Sequence, residues 1–166
     1  MFVIKIPEKQ IKKYENGEEL TKKECEELVN FYRHDFVTGL KGRHDFYYLL
    51  NNFFKEKKDF YLYLIDVKGL KKKNEISYHE GDKLLKKVAK GLLKYSKNSF
   101  RFRNGDEFAI IDEKDFNLHI DEIHWAKVFS KYYDNPDEMF KDCDQKLIKA
   151  KAEYYKNIKT DRRGKT

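Results

Sequence analysis

One segment near the middle of the chain, residues 100–111, most constrains the fold. It reads Phe-Arg-Phe-Arg-Asn-Gly-Asp-Glu-Phe-Ala-Ile-Ile, so two largely apolar runs flank Asn104-Gly105. Asn-Gly is the strongest short-range signal for a β-hairpin, because the central residues of a type I′ turn need positive φ. The sequence therefore predicts two antiparallel strands joined at Asn104-Gly105, with the carboxylates Asp106 and Glu107 directly after the turn.

A further carboxylate lies at the end of another predicted strand. Residues 60–67 are nearly all apolar apart from Asp66, as expected for a central strand that is buried on both faces. A charge in that position needs a partner, because burying an unpaired carboxylate is costly. If both strands deliver their carboxylates to one edge of a sheet, Asp66, Asp106 and Glu107 predict a metal-dependent site for phosphoryl transfer.

Composition narrows the class of protein. A chain of 166 residues with 16% aromatic side chains favours one folded domain over disorder. The net charge of +7 suits a phosphate-bearing partner, or equally a set of solvated lysine-rich helix faces. Cys25 and Cys143 are expected to be small core residues in a reducing compartment, not a disulfide. No signal segment or membrane-length apolar run is recognisable, so we expect a soluble cytoplasmic protein.

Helix-like and strand-like patterns alternate along the chain. Strands are predicted at residues 2–6, 60–67, 100–111 as the hairpin, and within 123–132. Helices are predicted from the capping box at Thr21, at residues 46–54 and 84–95, and from Pro136 onward. Residues 7–17 are expected to form a polar turn and residues 68–81 an irregular segment. The alternation predicts an α/β (α+β) sandwich whose mixed, mostly antiparallel central sheet is flanked by helices.

Four segments, in order, resemble the motifs of the GGDEF domain, the palm-type, ferredoxin-like catalytic domain of diguanylate cyclases. Residues 35–43 resemble D-x-L-T-G-L-x-N-R, and residues 65–75 resemble I-D-x-D-x-F-K followed by N-D. Residues 79–82 resemble a shortened H-x-x-G-D, and residues 104–108 stand where the family has G-G-D-E-F. The resemblance covers residues 35–151. It implies an N-terminal extension over 1–34, a catalytic domain over 35–158 and a basic tail over 159–166.

The resemblance also implies an activity and the residues that serve it. A GGDEF domain of this kind condenses two GTP into cyclic di-GMP with release of pyrophosphate, using Mg²⁺ or Mn²⁺, and acts as a homodimer at least transiently. The residues assigned to the metal are Asp66, the carbonyl of Val67, Asp106 and Glu107, the three carboxylates being catalytic. The residues assigned to the substrate are Asn74 and Asp82 for guanine, and Lys71 and Lys151 for the phosphates.

The chain departs from the family pattern at several of these motifs. Asn104 replaces the first Gly of the signature, and Phe102 stands where the family has Arg. Lys68 replaces the second acidic residue of the first strand motif, so a positive charge is expected near the metal. Tyr154-Tyr155-Lys156 stands where G-R-N is expected. These substitutions leave both the retention of activity and the identity of the base open.

Three other functions remain as alternatives. The minimal CRISPR polymerases share this palm, so the product could be another cyclic nucleotide that contains adenine. A GGDEF-like module could instead bind a nucleotide or a protein partner without turnover. A nucleic-acid-binding domain would suit the charge and the aromatic content, but the sequence has no RNP-like motif or groove-reading helix signature.

Overall fold

The computed structural model describes residues 6–103 and 105–163, with the side chains of residues 158–163 excepted. The helices are α1 (Glu8–Glu15), α2 (Lys22–Arg33), α3 (Arg43–Lys55), α4 (Leu70–Ile76), α5 (Tyr78–Leu92) and α6 (Pro136–Arg163). The strands are β1 (Tyr61–Val67), β2 (Ser99–Arg101), β3 (Glu107–Asp112) and β4 (Ile123–Phe129). A 3₁₀ turn follows β4 at Ser130–Tyr132.

The four strands form one sheet in the order β2-β3-β1-β4, and the ladders between them are antiparallel. Parallel pairing in the described part of the chain is limited to the isolated bridge between Lys41 and Phe100. The predicted α+β class with a mostly antiparallel sheet is therefore confirmed. In the register of the sheet, Asp66 of β1 lies opposite Glu107 of β3 on one side and His124 of β4 on the other.

Helices cover both faces of the sheet. Tyr63, Ile65 and Val67 of β1 pack in one core with α4 and α5, whereas Leu62 and Leu64 pack in a second core with α3 and α6. Successive side chains of a strand point to opposite faces. Asp66 consequently belongs to the α3/α6 face, at the end of the second core.

Three segments differ from the prediction. Residues 68–81 are not irregular, because α4 and the start of α5 lie there, with the Ser77 hydroxyl accepting a hydrogen bond from Glu80 N at 3.2 Å. A helix as short as α4 is marginal alone, and the burial of Leu70 in the core stabilises it. The expected polar turn contains α1, and α5 ends before Tyr95. The strand predicted at residues 2–6 lies outside the described residues except for Ile6.

The prediction for the two cysteines is half correct. Cys143 is buried in the second core, but Cys25 is exposed on α2, so its assignment to the core was wrong. The domain boundaries at residues 34 and 158 stay predictions, and the backbone of α6 continues across residue 158. Within the described ranges, no helix combines the length and apolar character that crossing a membrane requires.

Candidate active site

Asp66 and Asp106 lie at neighbouring strand ends. Asp66 is on β1 and only 6% exposed, and Asp106 directly precedes β3. The backbone joins the two strand ends, because Val67 N donates a hydrogen bond to Asp106 O at 3.0 Å. Burial, and after it the negative charge of Asp66, raises the pKa of Asp106 above its ordinary value. The two carboxylates that the sequence placed at one sheet edge are thus brought together there.

Glu107 faces the same side of the sheet as Asp66 but has a different neighbour. Its carboxylate lies 3.6 Å from Arg103 Nε, and Arg103 Nη1 lies 3.5 Å from Asp144 of α6. Burial raises the pKa of Glu107, and the opposing effect of Arg103 does not cancel it. Arg103 therefore links the hairpin to α6, and Glu107 is part of that link.

Lys151 reaches the site from α6, as its predicted role requires. Its Nζ donates a hydrogen bond to Asp66 Oδ2 at 2.7 Å. Burial alone would lower the pKa of Lys151, but the hydrogen bond and charge of Asp66 outweigh it and raise that pKa. In this structure Lys151 is the counter-charge that lets Asp66 stay buried.

The oxygen-only character of the Asp66 and Asp106 pair fits a magnesium or manganese ion. Mg²⁺ is commonly held by one or two carboxylates, with waters and substrate phosphates completing its octahedron. Among the described residues, no group of three or more acidic, histidine or cysteine side chains is arranged to hold a metal ion. An ion bound here would therefore rely on Asp66, Asp106, the Val67 carbonyl and non-protein ligands, whereas Glu107, which was also predicted as a ligand, is paired with Arg103.

The two residues predicted for the base, and Lys71 of the two predicted for the phosphates, lie on α4 and α5. Since α4 begins three residues after β1 ends, Lys71 and Asn74 lie at the same end of β1 as Asp66. The Asn74 side chain packs directly against Gly81: a Cβ on Gly81 would lie 1.8 Å from Asn74 Oδ1. This close approach requires glycine and brings Asn74 beside the residue that precedes Asp82. Lys71 is exposed and Asp82 is half-buried.

Arg101 anchors the tip of the hairpin, a role that the sequence did not predict. Its Nη1 donates to Asp35 Oδ1 at 2.8 Å and its Nη2 donates to Gly105 O at 2.7 Å. The same Asp35 oxygen accepts from Thr38 N at 2.8 Å and Thr38 Oγ1 at 2.6 Å. Gly105 has φ +89°, as the turn prediction requires, whereas Asn104 lies outside the described residues. The first family motif therefore holds the residue that precedes Asp106.

An open pocket of about 660 Å³ lies beside the carboxylates of Asp106 and Glu107. Arg43, Arg101 and Arg103 line it together with Asp106 and Glu107. Guanidinium groups bind phosphate oxygens in bidentate geometry. The pocket thus combines groups suited to phosphate with carboxylates suited to a cation. Phe102 also lines it, while packing its ring 4.8 Å from that of Phe46 in the second core.

His124 is a second site residue that sequence reasoning missed. It is 6% exposed, and its Nε2 is buried with no hydrogen-bond partner in the part of the chain that the structure describes. Burial, then the positive charge of Lys68, lowers the pKa of His124, so the ring is neutral at pH 7. Only the strand register, which places His124 opposite Asp66, could have identified it.

Comparisons of the sequence with known proteins find relatives over part of the chain. No family model matches the chain. Two relatives from Staphylococcus aureus strains USA300 and NCTC 8325, named as uncharacterized membrane proteins, are 37% identical over 95 residues. The match covers 51% of this chain and 27% of each relative, so the chain corresponds to about a quarter of their length.

Solved structures of GGDEF domains share the fold. A diguanylate cyclase/phosphodiesterase from Caldicellulosiruptor saccharolyticus matches with a TM-score of 0.62 and 22% identity, over 76% of this chain and 91% of that one. The coiled coil and GGDEF domain of DgcB from Caulobacter crescentus, in complex with c-di-GMP, matches with a TM-score of 0.69 and 15% identity, over 79% and 86%. The chain therefore has the GGDEF-domain fold, and the resemblance found in its motifs is confirmed at that level.

Proposed function

We propose that the protein is a metal-dependent nucleotidyltransferase that condenses two GTP into cyclic di-GMP and releases pyrophosphate. The observation that carries the proposal is the pair of carboxylates, Asp66 and Asp106, at neighbouring strand ends joined by the Val67–Asp106 hydrogen bond. The GGDEF fold supports the same class of ligand, since the DgcB domain that shares it was solved in complex with c-di-GMP.

Each residue has a role that follows from its chemistry. Asp66, Asp106 and the Val67 carbonyl hold Mg²⁺ or Mn²⁺, which supplies charge neutralisation at the triphosphate when bound. Lys71 and Lys151 bind phosphate oxygens, so Lys151 exchanges its carboxylate partner for the substrate. Asp82 accepts hydrogen bonds from the N1–H and amino groups of guanine, and Asn74 offers both a donor and an acceptor.

The reaction requires two copies of the chain. The 3′-oxygen of one GTP attacks the α-phosphorus of the other, the bond to the bridging oxygen breaks, and pyrophosphate leaves with that oxygen. Each site holds one nucleotide, so closure of the ring needs two sites face to face. A homodimer, at least a transient one, is therefore part of the proposal.

A product assay tests the proposal. The purified chain is incubated with each nucleoside triphosphate, singly and mixed, with Mg²⁺ or Mn²⁺, and products are identified by mass spectrometry. Cyclic di-GMP from GTP alone is expected, and it disappears in Asp66→Asn and Asp106→Asn. Asp137→Asn, which changes a carboxylate at the start of α6, away from the strand ends, is the matched control and keeps wild-type turnover. Undiminished product from either site variant would refute the proposed mechanism, and an adenine-containing product would refute the guanine assignment.

A non-catalytic nucleotide-binding module is the second candidate, and one observation favours it. Lys151 already neutralises Asp66, the most buried of the site carboxylates. If that ion pair persists with nucleotide bound, Asp66 is not available to a metal ion. Binding of GTP without product in the presence of either metal would support this candidate.

A further inference from the structure

Two departures from the family pattern meet in the structure. Lys68 stands where the family has a second acidic residue, and Tyr154 stands where it has the G of G-R-N. The Lys68 ammonium lies 4.6 Å from the centroid of the Tyr154 ring and donates a hydrogen bond to Asp121 O at 3.1 Å. Both of these partners are uncharged groups. The nearby carboxylate of Glu122, whose pKa the Lys68 charge helps to lower, is already paired with Lys87. The Lys68 charge is therefore held in position by contacts that leave it available to an anion.

Lys68 lies on the α6 side of the carboxylate pair. Tyr154 follows Lys151 by three residues on α6, so the two side chains lie on the same face of that helix. The Tyr154 ring is 4.7 Å from the ring of His124, which lies opposite Asp66 in the sheet. The contacts thus run from Lys68 through Tyr154 and His124 to Asp66, where Lys151 is also bound.

The charge in this region is unfavourable for a pair of divalent ions. A two-metal site holds its ions about 3.5–4 Å apart and needs carboxylates to offset their charge. Here two ammonium groups, Lys68 and Lys151, lie on the side of Asp66 that faces α6, and Glu107 is engaged by Arg103. The same two ammonium groups are well suited to phosphate oxygens, which accept charge-assisted hydrogen bonds.

We propose that Lys68 takes the place of a second divalent cation, so that each chain binds one metal ion with its nucleotide and Lys68 supplies charge to the triphosphate. Tyr154 is the positioning residue that holds the Lys68 ammonium by a cation–π contact. The inference rests on the proposed function, since it concerns how the same site holds GTP.

Metal counting separates this inference from the activity. The chain is titrated with Mn²⁺ in the presence of a GTP analogue that has a methylene group between the α- and β-phosphorus atoms. Free Mn²⁺ is measured by electron paramagnetic resonance, and affinity for the analogue by calorimetry. One Mn²⁺ per chain is expected for the wild type, and two would overturn the inference while leaving the proposed function intact. Failure of the wild type to bind the analogue would overturn both.

Variants at Lys68 test its role directly. Lys68→Met keeps the length but removes the charge, and weakens analogue binding about tenfold with one Mn²⁺ retained. Lys68→Asp restores the acidic residue of the family and raises the count to two Mn²⁺. Lys90→Met, which changes an exposed lysine near the end of α5, is the control and binds as the wild type does. Wild-type affinity in Lys68→Met, or one Mn²⁺ in Lys68→Asp, would overturn the inference.

Variants at Tyr154 separate positioning from folding. Tyr154→Leu removes the ring face and weakens analogue binding about threefold, whereas Tyr154→Phe keeps the ring and binds as the wild type does. Circular dichroism shows whether each variant is folded before it is titrated. Equal affinity of the Leu and Phe variants for the analogue would show that Tyr154 does not position Lys68.

Discussion

Loss of Lys151 should destabilise the protein more than loss of an exposed lysine on the same helix. The Asp66 side chain is 9% exposed and that of Lys151 is 36% exposed. Breaking a buried ion pair costs about 3–5 kcal/mol, whereas an exposed pair contributes at most about 1 kcal/mol. Because Lys151 is partly solvated, we expect Lys151→Met to lower the free energy of unfolding by about 2 kcal/mol. For a chain of this length that is a fall in melting temperature of about 4–8 °C.

The same geometry predicts that the two single variants of a double-mutant cycle, Lys151→Met and Asp66→Asn, are destabilised by unequal amounts. Asp66→Asn leaves Lys151 without its partner, but the ammonium can turn to water, so the cost is only about 1 kcal/mol. The double variant is then less destabilised than the sum of the single variants, because each change removes the same interaction. Lys146→Met is the matched control: Lys146 pairs with Asp142 at 2.9 Å on the exposed side of α6, and its loss costs less than about 0.5 kcal/mol.

Urea unfolding, followed by circular dichroism without divalent ions, measures the stability of the wild type and of the four variants. A repeat in Mg²⁺ should restore part of the stability of Lys151→Met, since a cation at Asp66 replaces the missing ammonium. Equal destabilisation by Lys151→Met and Lys146→Met would refute the reasoning. So would strict additivity in the cycle, because it would mean that Asp66 and Lys151 do not interact in solution.

Two further predictions concern other parts of the site. Burial, and after it the charge of Asp66, raises the pKa of Asp106 above 3.8, so the folded state opposes ionisation of this carboxyl. The resulting loss of folding stability appears as the pH rises from 3.8 through the raised pKa. Asp106→Asn should therefore raise the melting temperature at pH 7 and have no such effect below pH 3.8. An equal rise in melting temperature at both pH values would contradict the raised pKa of Asp106. Gly81→Ala forces the Asn74 amide away and should weaken GTP binding about tenfold, whereas Gly91→Ala displaces only the tip of Ile120 and should bind GTP normally. Equal GTP affinity in the two glycine variants would count against Asn74.

Local pattern was enough to predict much of the fold. The hairpin, the apolar strand β1 and the stripes of α3 and α5 are visible because each segment carries its own periodicity or turn signal. The helices α1 and α4 were missed because short polar helices have few apolar residues to mark a face and are stabilised by what they pack against. Cys25 was misplaced for a related reason, since helical spacing shows which residues share a face but not whether anything covers it.

The carboxylates themselves could be found from sequence, because a lone acid in an apolar strand and an acidic pair after Asn-Gly are local features. Their partners could not. Lys151 is 85 residues from Asp66 in the chain, and His124 becomes its neighbour only through the pairing of β4 with β1. A slip of one residue in the pairing of β4 with β1 would turn the His124 side chain to the other face of the sheet. The sequence by itself therefore determined which carboxylates stand at the ends of the predicted strands, but not the helix that carries Lys71 and Asn74. The tertiary structure alone decided which charges meet, because strand register and helix packing are set by the whole core.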